Sequence, residues 1–249
     1  MLRMMVIAAH PDDEVANFGG ALLLYAKRGV ESSVVCLTPG QAASHRGGAR
    51  NDQELAEIRR KEFAAACKIL QVAHGVVLDY PDGQLHRQDA HKVVGNLTQR
   101  IREFRPHVLL TFGTEGGLTG HTDHSMASVF ATMAYHWAGR ANRFADQLSN
   151  GLQVHRTQKL YYATADFQLA GRDPSTMSPV TAVLDISGYF ERKMEAFRAH
   201  TSQAHLQHIF EENVRPRPKR EMYHLAACVK QAPASQETDL FAGISPTEP

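Results

Sequence analysis

Two short clusters of histidine and acidic residues are the strongest chemical feature of the sequence. The first is His10-Pro11-Asp12-Asp13-Glu14, and the second is His121-Thr122-Asp123-His124. Imidazole nitrogens and carboxylate oxygens are ligands that zinc accepts, and a catalytic zinc site keeps one coordination position for water. Two histidines and one carboxylate are therefore enough for a hydrolytic metal site, and the two clusters together offer more than one such set.

Each cluster also has a simpler explanation as the start of a helix. Proline is favoured at the first helical position, and acids in the first turn interact well with the helix dipole. Thr122 or Asp123 would similarly serve as an N-cap. Neither motif alone indicates a metal, so the interpretation depends on whether the fold brings the two together.

The hydrophobic pattern places both clusters directly after strands. The apolar run Met4–Ala9 ends at the first cluster, and Val108–Phe112 precedes a glycine-rich segment and the second cluster. In open α/β sheets, ligands bind at the carboxyl ends of the parallel strands. Two such motifs would rarely occur by chance at corresponding strand ends. Their positions therefore predict a metal site at this edge of the sheet.

The remaining periodicity predicts an α/β fold of the Rossmann-like kind, a mostly parallel sheet with helices on both faces. Further strands are predicted at Ser33–Leu37, Val76–Leu78, Lys159–Ala163 and Val180–Asp185, and further helices at Glu54–Leu70, His91–Phe104 and Gly188–His205. We find no internal repeat and no linker, so residues 1–249 are predicted to form a single domain. Residues 231–249, rich in Ala, Pro, Ser, Thr and Glu, are predicted to form a loosely ordered tail.

Composition excludes several other classes of protein. The chain has 27 Lys and Arg residues against 26 Asp and Glu residues, a formal net charge of +1. This near-neutral charge gives no reason to expect nucleic acid or an acidic membrane as partner. No membrane span or signal sequence is present, and the three cysteines form no CxxC pair, so we expect a soluble cytoplasmic protein. The motifs of dinucleotide-binding, P-loop and serine hydrolase proteins are also missing.

The motifs taken together resemble those of a known family. AHPDDE and GHTDH are similar to the zinc-dependent N-deacetylases of the LmbE and PIG-L family, which act on N-acetylglucosamine conjugates. Weaker similarities support this over most of the chain; they lie at Glu57–Glu62, Tyr80–Gly83, Lys159–Tyr162 and Lys193–Gln203. Thr122 departs from the family pattern, in which many members have proline.

The resemblance implies a role for each motif residue. His10, Asp13 and His124 would hold Zn²⁺, although such a site also accepts Fe²⁺ or Co²⁺. Asp12 would be the general base. His121 would stabilise the oxyanion or protonate the amine that leaves.

Other residues are assigned more by resemblance than by their chemistry. Arg59 and Asp82 would contact the substrate, but Arg59 could instead pair with Glu57 or Glu62, and Asp82 is favoured in a Pro-Asp-Gly turn. His200 is expected to support helix packing or a ligand rather than to bind metal. The polar, mobile loop 39–51 could cover the sugar or simply be solvated.

The implied activity is removal of the acetyl group from a small sugar conjugate, such as a glucosaminyl malate or inositol precursor of a low-molecular-weight thiol, with release of acetate and a free amine. An amidase of a larger thiol-sugar conjugate is an alternative with the same zinc site. A non-catalytic zinc-binding module is another. The sequence leaves the aglycone and the oligomeric state open, and the resemblance is compatible with a trimer or a hexamer.

Overall fold

The computed structural model describes residues 1–169, 176–230 and 235–246. Its strands are β1 (Arg3–Ala8), β2 (Glu31–Cys36), β3 (His74–Val77), β4 (Val108–Phe112), β5 (Lys159–Thr164), β6 (Ala182–Asp185) and β7 (Arg220–Cys228). The helices are α1 (Asp13–Lys27), α2 (Asp52–Ile69), α3 (Ala90–Phe104), α4 (Thr122–Ala138), α5 (Ala145–Ser149), α6 (Phe190–Arg198) and α7 (Ala204–Asn213). None of the helices in these residues is long and apolar enough to cross a membrane.

The strands form one sheet in the order β3-β2-β1-β4-β5-β7-β6. β1 to β5 pair in parallel, and β7 runs antiparallel between β5 and β6. Helix α6 contacts α1 and α2, whereas α3 contacts α4, so the helices form two separate layers. The predicted fold class, a mostly parallel α/β sheet of the Rossmann-like kind, is confirmed.

The strand order changes direction between β1 and β4. The chain proceeds from β1 outward to β2 and β3, then returns to place β4 on the other side of β1, with Met4 opposite Val108. In folds of this class the loops after two such strands leave in opposite directions, and ligands bind in the crevice between them. The two predicted motifs follow β1 and β4, so both line this crevice.

Helix α1 begins within the first motif. Two of its backbone N–H groups donate to a side chain from β7 instead of to carbonyls of the helix. Gly20 N–H and Ala21 N–H donate to the two carboxylate oxygens of Glu221 at 2.7 and 2.8 Å. A Cβ on Gly20 would lie 2.5 Å from the side chain of Ile186, so glycine lets the carboxylate and its neighbours approach the helix.

The carbonyls that would otherwise accept from these two N–H groups have side-chain donors instead. In a regular helix the carbonyl of Ala16 would accept from Gly20 N–H, and the carbonyl of Asn17 would accept from Ala21 N–H. Here Lys193 Nζ donates to Ala16 O at 2.9 Å, and Tyr223 OH donates to Asn17 O at 3.2 Å. Lys193 Nζ also lies 2.7 Å from Glu221. This buried group therefore attaches the first turns of α1 to α6 and β7.

The structure corrects two expectations about the end of the chain. The helix predicted at Gly188–His205 is interrupted after Arg198, because His200 turns inward and is buried. The described part of the predicted tail, residues 235–246, is packed rather than loose: Leu240 is fully buried and Glu237 pairs with Lys159 and Tyr161. Residues 231–234 and 247–249 lie outside the described residues. The single-domain organisation stays a prediction.

Candidate metal centre and active site

The fold brings the histidines of the two motifs together. The ring centroids of His10 and His121 are 5.0 Å apart, those of His10 and His124 are 5.4 Å apart, and those of His121 and His124 are 5.0 Å apart. Each ring offers one nitrogen within 4.8 Å of the other two. Groups separated by more than a hundred residues in sequence thus form one cluster able to hold a metal ion.

Asp13 supplies a carboxylate between two of these rings. Its Oδ1 lies 3.2 Å from His124 Nε2, and its Oδ2 lies 3.5 Å from His10 Nδ1. Burial alone would raise the pKa of Asp13, but in the absence of a metal the interactions with His124 and His10, through charge and hydrogen bonds, hold that pKa well below its usual range. The three residues predicted as metal ligands are therefore in mutual contact, with the carboxylate ionised.

The ring of His10 is oriented by two further carboxylates. Its Nε2 lies 3.0 Å from Asp82 Oδ1 and 3.4 Å from Asp123 Oδ2. Asp123 is fully buried and is fixed by N–H groups of Gly83 and Leu85 at 2.7 and 3.2 Å. Metal-binding histidines typically donate their second nitrogen to such a carboxylate. This orientation leaves Nδ1, on the side of Asp13, for a metal.

His124 is oriented in the same way by different groups. Its ring stacks on Phe112, with centroids 4.1 Å apart and planes 4° from parallel. Its Nδ1 lies 3.2 Å from the carbonyl of Gly116, which can only accept a hydrogen bond. The proton is therefore on Nδ1, and Nε2 remains available beside Asp13.

Asp12 sits beside the cluster in an unusual backbone conformation. Its φ is 109° and its ψ is −30°, a region that side-chain-bearing residues rarely adopt. Its Oδ2 accepts from Arg59 Nη2 at 2.8 Å. Burial raises the pKa of Asp12 to about 6, against the opposing charge of Arg59. A carboxylate of this kind is suited to accept a proton near neutral pH.

His121 provides a hydrogen-bond donor beside His10 and His124. It is the N-cap of α4, a position predicted for Thr122 or Asp123, and its Nδ1 accepts from Asp123 N–H at 3.2 Å. Burial and the neighbouring His10 and His124 lower the pKa of His121. The neutral ring therefore carries its proton on Nε2, from which it can donate to a substrate oxygen.

The structure places both predicted substrate contacts at the site, but in contact with protein groups. Asp82 bonds to His10 and accepts from Ala42 N–H at 2.9 Å. Arg59, only 3% exposed, donates to the carbonyls of Pro11 and Gly40 and to Asp12. It does not pair with Glu57 or Glu62, the alternative partners predicted on its own helix. Substrate contact by Arg59 and Asp82 stays a prediction.

The loop after β2 closes one side of the site. Gly40 lies so close to Arg59 that a Cβ there would be 1.9 Å from Nη1. Farther along, His45 O accepts from Gln203 Nε2 at 3.1 Å, and the His45 ring stacks on His205 at 3.5 Å between centroids. The loop predicted at 39–51 is thus attached to the segment after α6.

Sequence reasoning missed two carboxylates that support the site. Both belong to the predicted metal-binding clusters, where Asp123 is also a candidate N-cap and Glu14 an acid of a first helical turn, but neither is predicted to orient another residue of the site. Glu14 is fully buried, and its carboxylate lies 2.7 Å from His200 Nε2. An acid too deep to be solvated requires partners, but its position in the first motif could not reveal that its partner is 186 residues away.

These features define an α/β protein with a histidine and carboxylate centre at the point where its strand order reverses, and comparison with known proteins agrees. Residues 5–135 match the family model described as PIG-L, GlcNAc-PI de-N-acetylase. A 1D-myo-inositol 2-acetamido-2-deoxy-alpha-D-glucopyranoside deacetylase 2 from Catenulispora acidiphila is 30% identical, over 97% of this chain and 97% of the relative. The chain belongs to the PIG-L family, and it is an enzyme of the amide-hydrolase class.

Other similarities mark the range of chemistry associated with this fold. A mycothiol S-conjugate amidase from Streptomyces coelicolor is 27% identical, over 98% of this chain and 97% of the relative. The N,N'-diacetylchitobiose deacetylase from Pyrococcus horikoshii superposes with a TM-score of 0.74 at 22% identity, covering 90% of this chain and 83% of that one. A 4-carboxy-2-hydroxymuconate hydratase from Pseudomonas putida superposes with 0.72 at 23% identity, covering 94% and 100%. The fold alone does not determine the reaction.

Proposed function

We propose that this enzyme hydrolyses the acetamide of an N-acetylglucosamine conjugate, with His10, Asp13 and His124 as ligands of a zinc ion. The contact of Asp13 with both His10 and His124, beside the buried Asp12, is the observation that carries the proposal. Two imidazoles and one carboxylate suit zinc, and also Fe²⁺ or Co²⁺. When bound, the metal would polarise the amide carbonyl and make an attacking water more acidic.

The protein groups around this centre divide the remaining work. Asp12 accepts the proton of the attacking water, because its pKa of about 6 leaves it ionised at neutral pH yet basic enough to act. Neutral His121 donates from Nε2 to the carbonyl oxygen as negative charge develops there. The proton held by Asp12 then passes to the nitrogen as the C–N bond breaks, and acetate and a free amine are released.

The relatives suggest the class of substrate. The relative from Catenulispora acidiphila is named for a glucosaminide of inositol whose amine is acetylated. We extend this to the present chain as a small, soluble N-acetylglucosaminyl conjugate, an inositol or a malate conjugate among them, with Arg59 and Asp82 as the proposed substrate contacts. Cleavage of a larger thiol-sugar amide is the second candidate, favoured by the similarity to the Streptomyces coelicolor amidase.

A substrate panel separates these two candidates. Zinc-loaded enzyme is incubated with N-acetylglucosamine, its inositol and malate conjugates, and an S-conjugate of the thiol-sugar amide, and acetate and new amine are measured separately. Release of both from the acetylated conjugates supports the deacetylase, whereas amine without acetate from the S-conjugate supports the amidase. Metal-loaded protein that releases neither from any compound would overturn the proposed function.

Two variants test the role of the proposed base within this panel. Asp12→Asn is expected to lower kcat by about 10²- to 10⁴-fold, the range typical of a lost general base. Asp79→Asn makes the same change at a side chain that is 93% exposed, and it is expected to leave kcat unchanged. Near-wild-type turnover by Asp12→Asn would remove Asp12 from the mechanism.

A further inference from the structure

The strained backbone at Asp12 needs something to hold it. A φ of 109° is unfavourable for a residue with a side chain, and such conformations persist only where the surroundings enforce them. Asp12 is the N-cap of α1, yet its side chain makes no capping hydrogen bond. The carboxylate is directed instead toward Arg59, so helix capping does not account for the conformation.

Glu14 holds the backbone of Asp12 from the other side. Its Oε2 accepts the Asp12 N–H at 2.8 Å, within the first turn of α1. Its Oε1 lies 2.7 Å from Nε2 of His200, at the inward turn after α6. Glu14 and His200 are 0% and 1% exposed, so both side chains are enclosed by the protein. Three residues form a chain of contacts that ends at the amide of the proposed base.

Stability alone does not explain why a buried glutamate and histidine, Glu14 and His200, occupy these positions. A buried charged or polar pair is costly to desolvate, and apolar residues of similar volume usually give equal or greater stability. Nδ1 of His200 has no hydrogen-bond partner within the described part of the chain, so the hydrogen bonding of the ring there is with Glu14. What apolar replacements could not provide is an acceptor for the Asp12 N–H.

We propose that Glu14 and His200 are positioning residues that hold Asp12 in its strained conformation and thereby direct its carboxylate at the attacking water. Arg59 fixes the carboxylate, Glu14 fixes the amide, and His200 fixes Glu14. This inference rests on the proposed function, in which Asp12 is the base. It assigns to an acid outside the metal ligands, and to a histidine nearly two hundred residues away, a role in the rate of the reaction.

Kinetic comparison of matched variants tests the proposal. Glu14→Ala and His200→Ala are expected to lower kcat by about 10- to 100-fold with KM within about twofold, because a misplaced base slows the chemical step without weakening binding. Glu14→Gln retains an oxygen for the Asp12 N–H and is expected to recover kcat to within about threefold of wild type. Bound zinc, measured by elemental analysis, is expected to stay at the wild-type ratio.

A buried acid elsewhere provides the control. Glu237→Gln removes a charge paired with Lys159, far from Asp12 in the fold, and is expected to lower the melting temperature while kcat stays unchanged. If Glu14→Ala and His200→Ala likewise lower the melting temperature without changing kcat, the pair is merely structural and the proposal is wrong. Loss of zinc from Glu14→Ala would equally overturn it, since the effect would then act through Asp13.

A crystal structure of Glu14→Ala tests the inference independently of activity. The proposal predicts that Asp12 relaxes toward negative φ and that its carboxylate shifts, while Asp13 and His124 remain in contact. An unchanged Asp12 would refute the positioning role. If wild-type enzyme hydrolysed no conjugate and Asp12 nevertheless relaxed in the variant, the proposed function would fail and the structural role of Glu14 would stand.

Discussion

Nη2 of Arg59 lies 2.8 Å from Oδ2 of Asp12, and the two side chains are only 4% and 11% exposed. The same guanidinium donates to the carbonyls of Pro11 and Gly40. Arg59 therefore joins the first motif to the loop after β2 and supplies the positive charge nearest to the proposed base. A planar guanidinium can serve these acceptors at once, which a lysine ammonium on a flexible stem cannot do equally well.

We expect Arg59→Met to lower kcat by at least about 10²-fold, since the base loses its orientation. The free energy of unfolding is expected to fall by about 3–5 kcal/mol, as when one partner of a buried ion pair is removed. Arg59→Lys should recover only part of either quantity. Steady-state kinetics and urea unfolding measure both. Arg50→Met, at a side chain that is 84% exposed, should cost no more than about 1 kcal/mol.

Asp123 holds the ring of His10, and its loss should be detected as weaker metal binding. Asp123→Asn is expected to lower zinc affinity by about 10- to 100-fold, the usual cost of losing a carboxylate behind a histidine ligand. Competition with a chromophoric chelator measures the affinity directly. Asp146→Asn, at an exposed residue of helix α5, is the matched control. Equal zinc affinity in the two variants would contradict the orientation that we assign to His10.

Lys193 and Glu221, the buried ion pair that contacts the backbone of α1, should contribute to stability in a strongly coupled way. Lys193→Met leaves the carboxylate of Glu221 buried with its charge uncompensated, and we expect a loss of about 3–5 kcal/mol in the free energy of unfolding. Lys193→Met combined with Glu221→Gln should cost less than the sum of the two single variants. Arg192→Met, at the neighbouring exposed residue, should cost under about 1 kcal/mol. Additive losses in the double variant would show that the pair is not coupled.

Because His155 is buried, we expect the free energy of unfolding to fall as the pH becomes acidic. Burial lowers the pKa of His155 from 6.5 to about 4, and its Nε2 donates to Pro106 O at 2.7 Å. Because the folded state disfavours the charged ring, His155 has no effect well above pH 6.5, and it destabilises the protein progressively as the pH falls from 6.5 toward 4.

The test compares wild type with His155→Gln, which keeps a donor for Pro106. Relative to its value at about pH 7.5, the free energy of unfolding of wild type should fall by about 2 kcal/mol more than that of the variant at about pH 5. Urea unfolding at the two pH values gives this difference. Parallel losses in the two proteins would mean that His155 is not the group responsible.

Much of the site could be predicted from the sequence because its residues are adjacent to clear local signals. Met4–Ala9 and Val108–Phe112 are apolar runs that end at polar motifs, and a parallel sheet necessarily places such ends on one edge. The contacts between His10, Asp13 and His124 follow from that geometry. The orientation of the rings does not, since it depends on Asp82, Asp123 and the carbonyl of Gly116.

The features that were missed depend on partners distant in sequence. β7 was not predicted, and its place between β5 and β6 could not be read from its own residues. The interruption after Arg198 follows from burial of His200 against Glu14, and the packing of residues 235–246 depends on the pairing of Glu237 with β5. Local periodicity carries no information about such contacts.

The central claim is that a metal held by His10, Asp13 and His124 drives acetamide hydrolysis. Its most direct test is acetate release from an N-acetylglucosaminyl conjugate by metal-stripped protein, with and without added zinc, for wild type and His124→Ala. We predict no release without metal, recovery of wild-type activity at one equivalent of zinc, and none in the variant, whose bound zinc is measured alongside. Undiminished release by the stripped wild type, or by His124→Ala without bound metal, would contradict the claim.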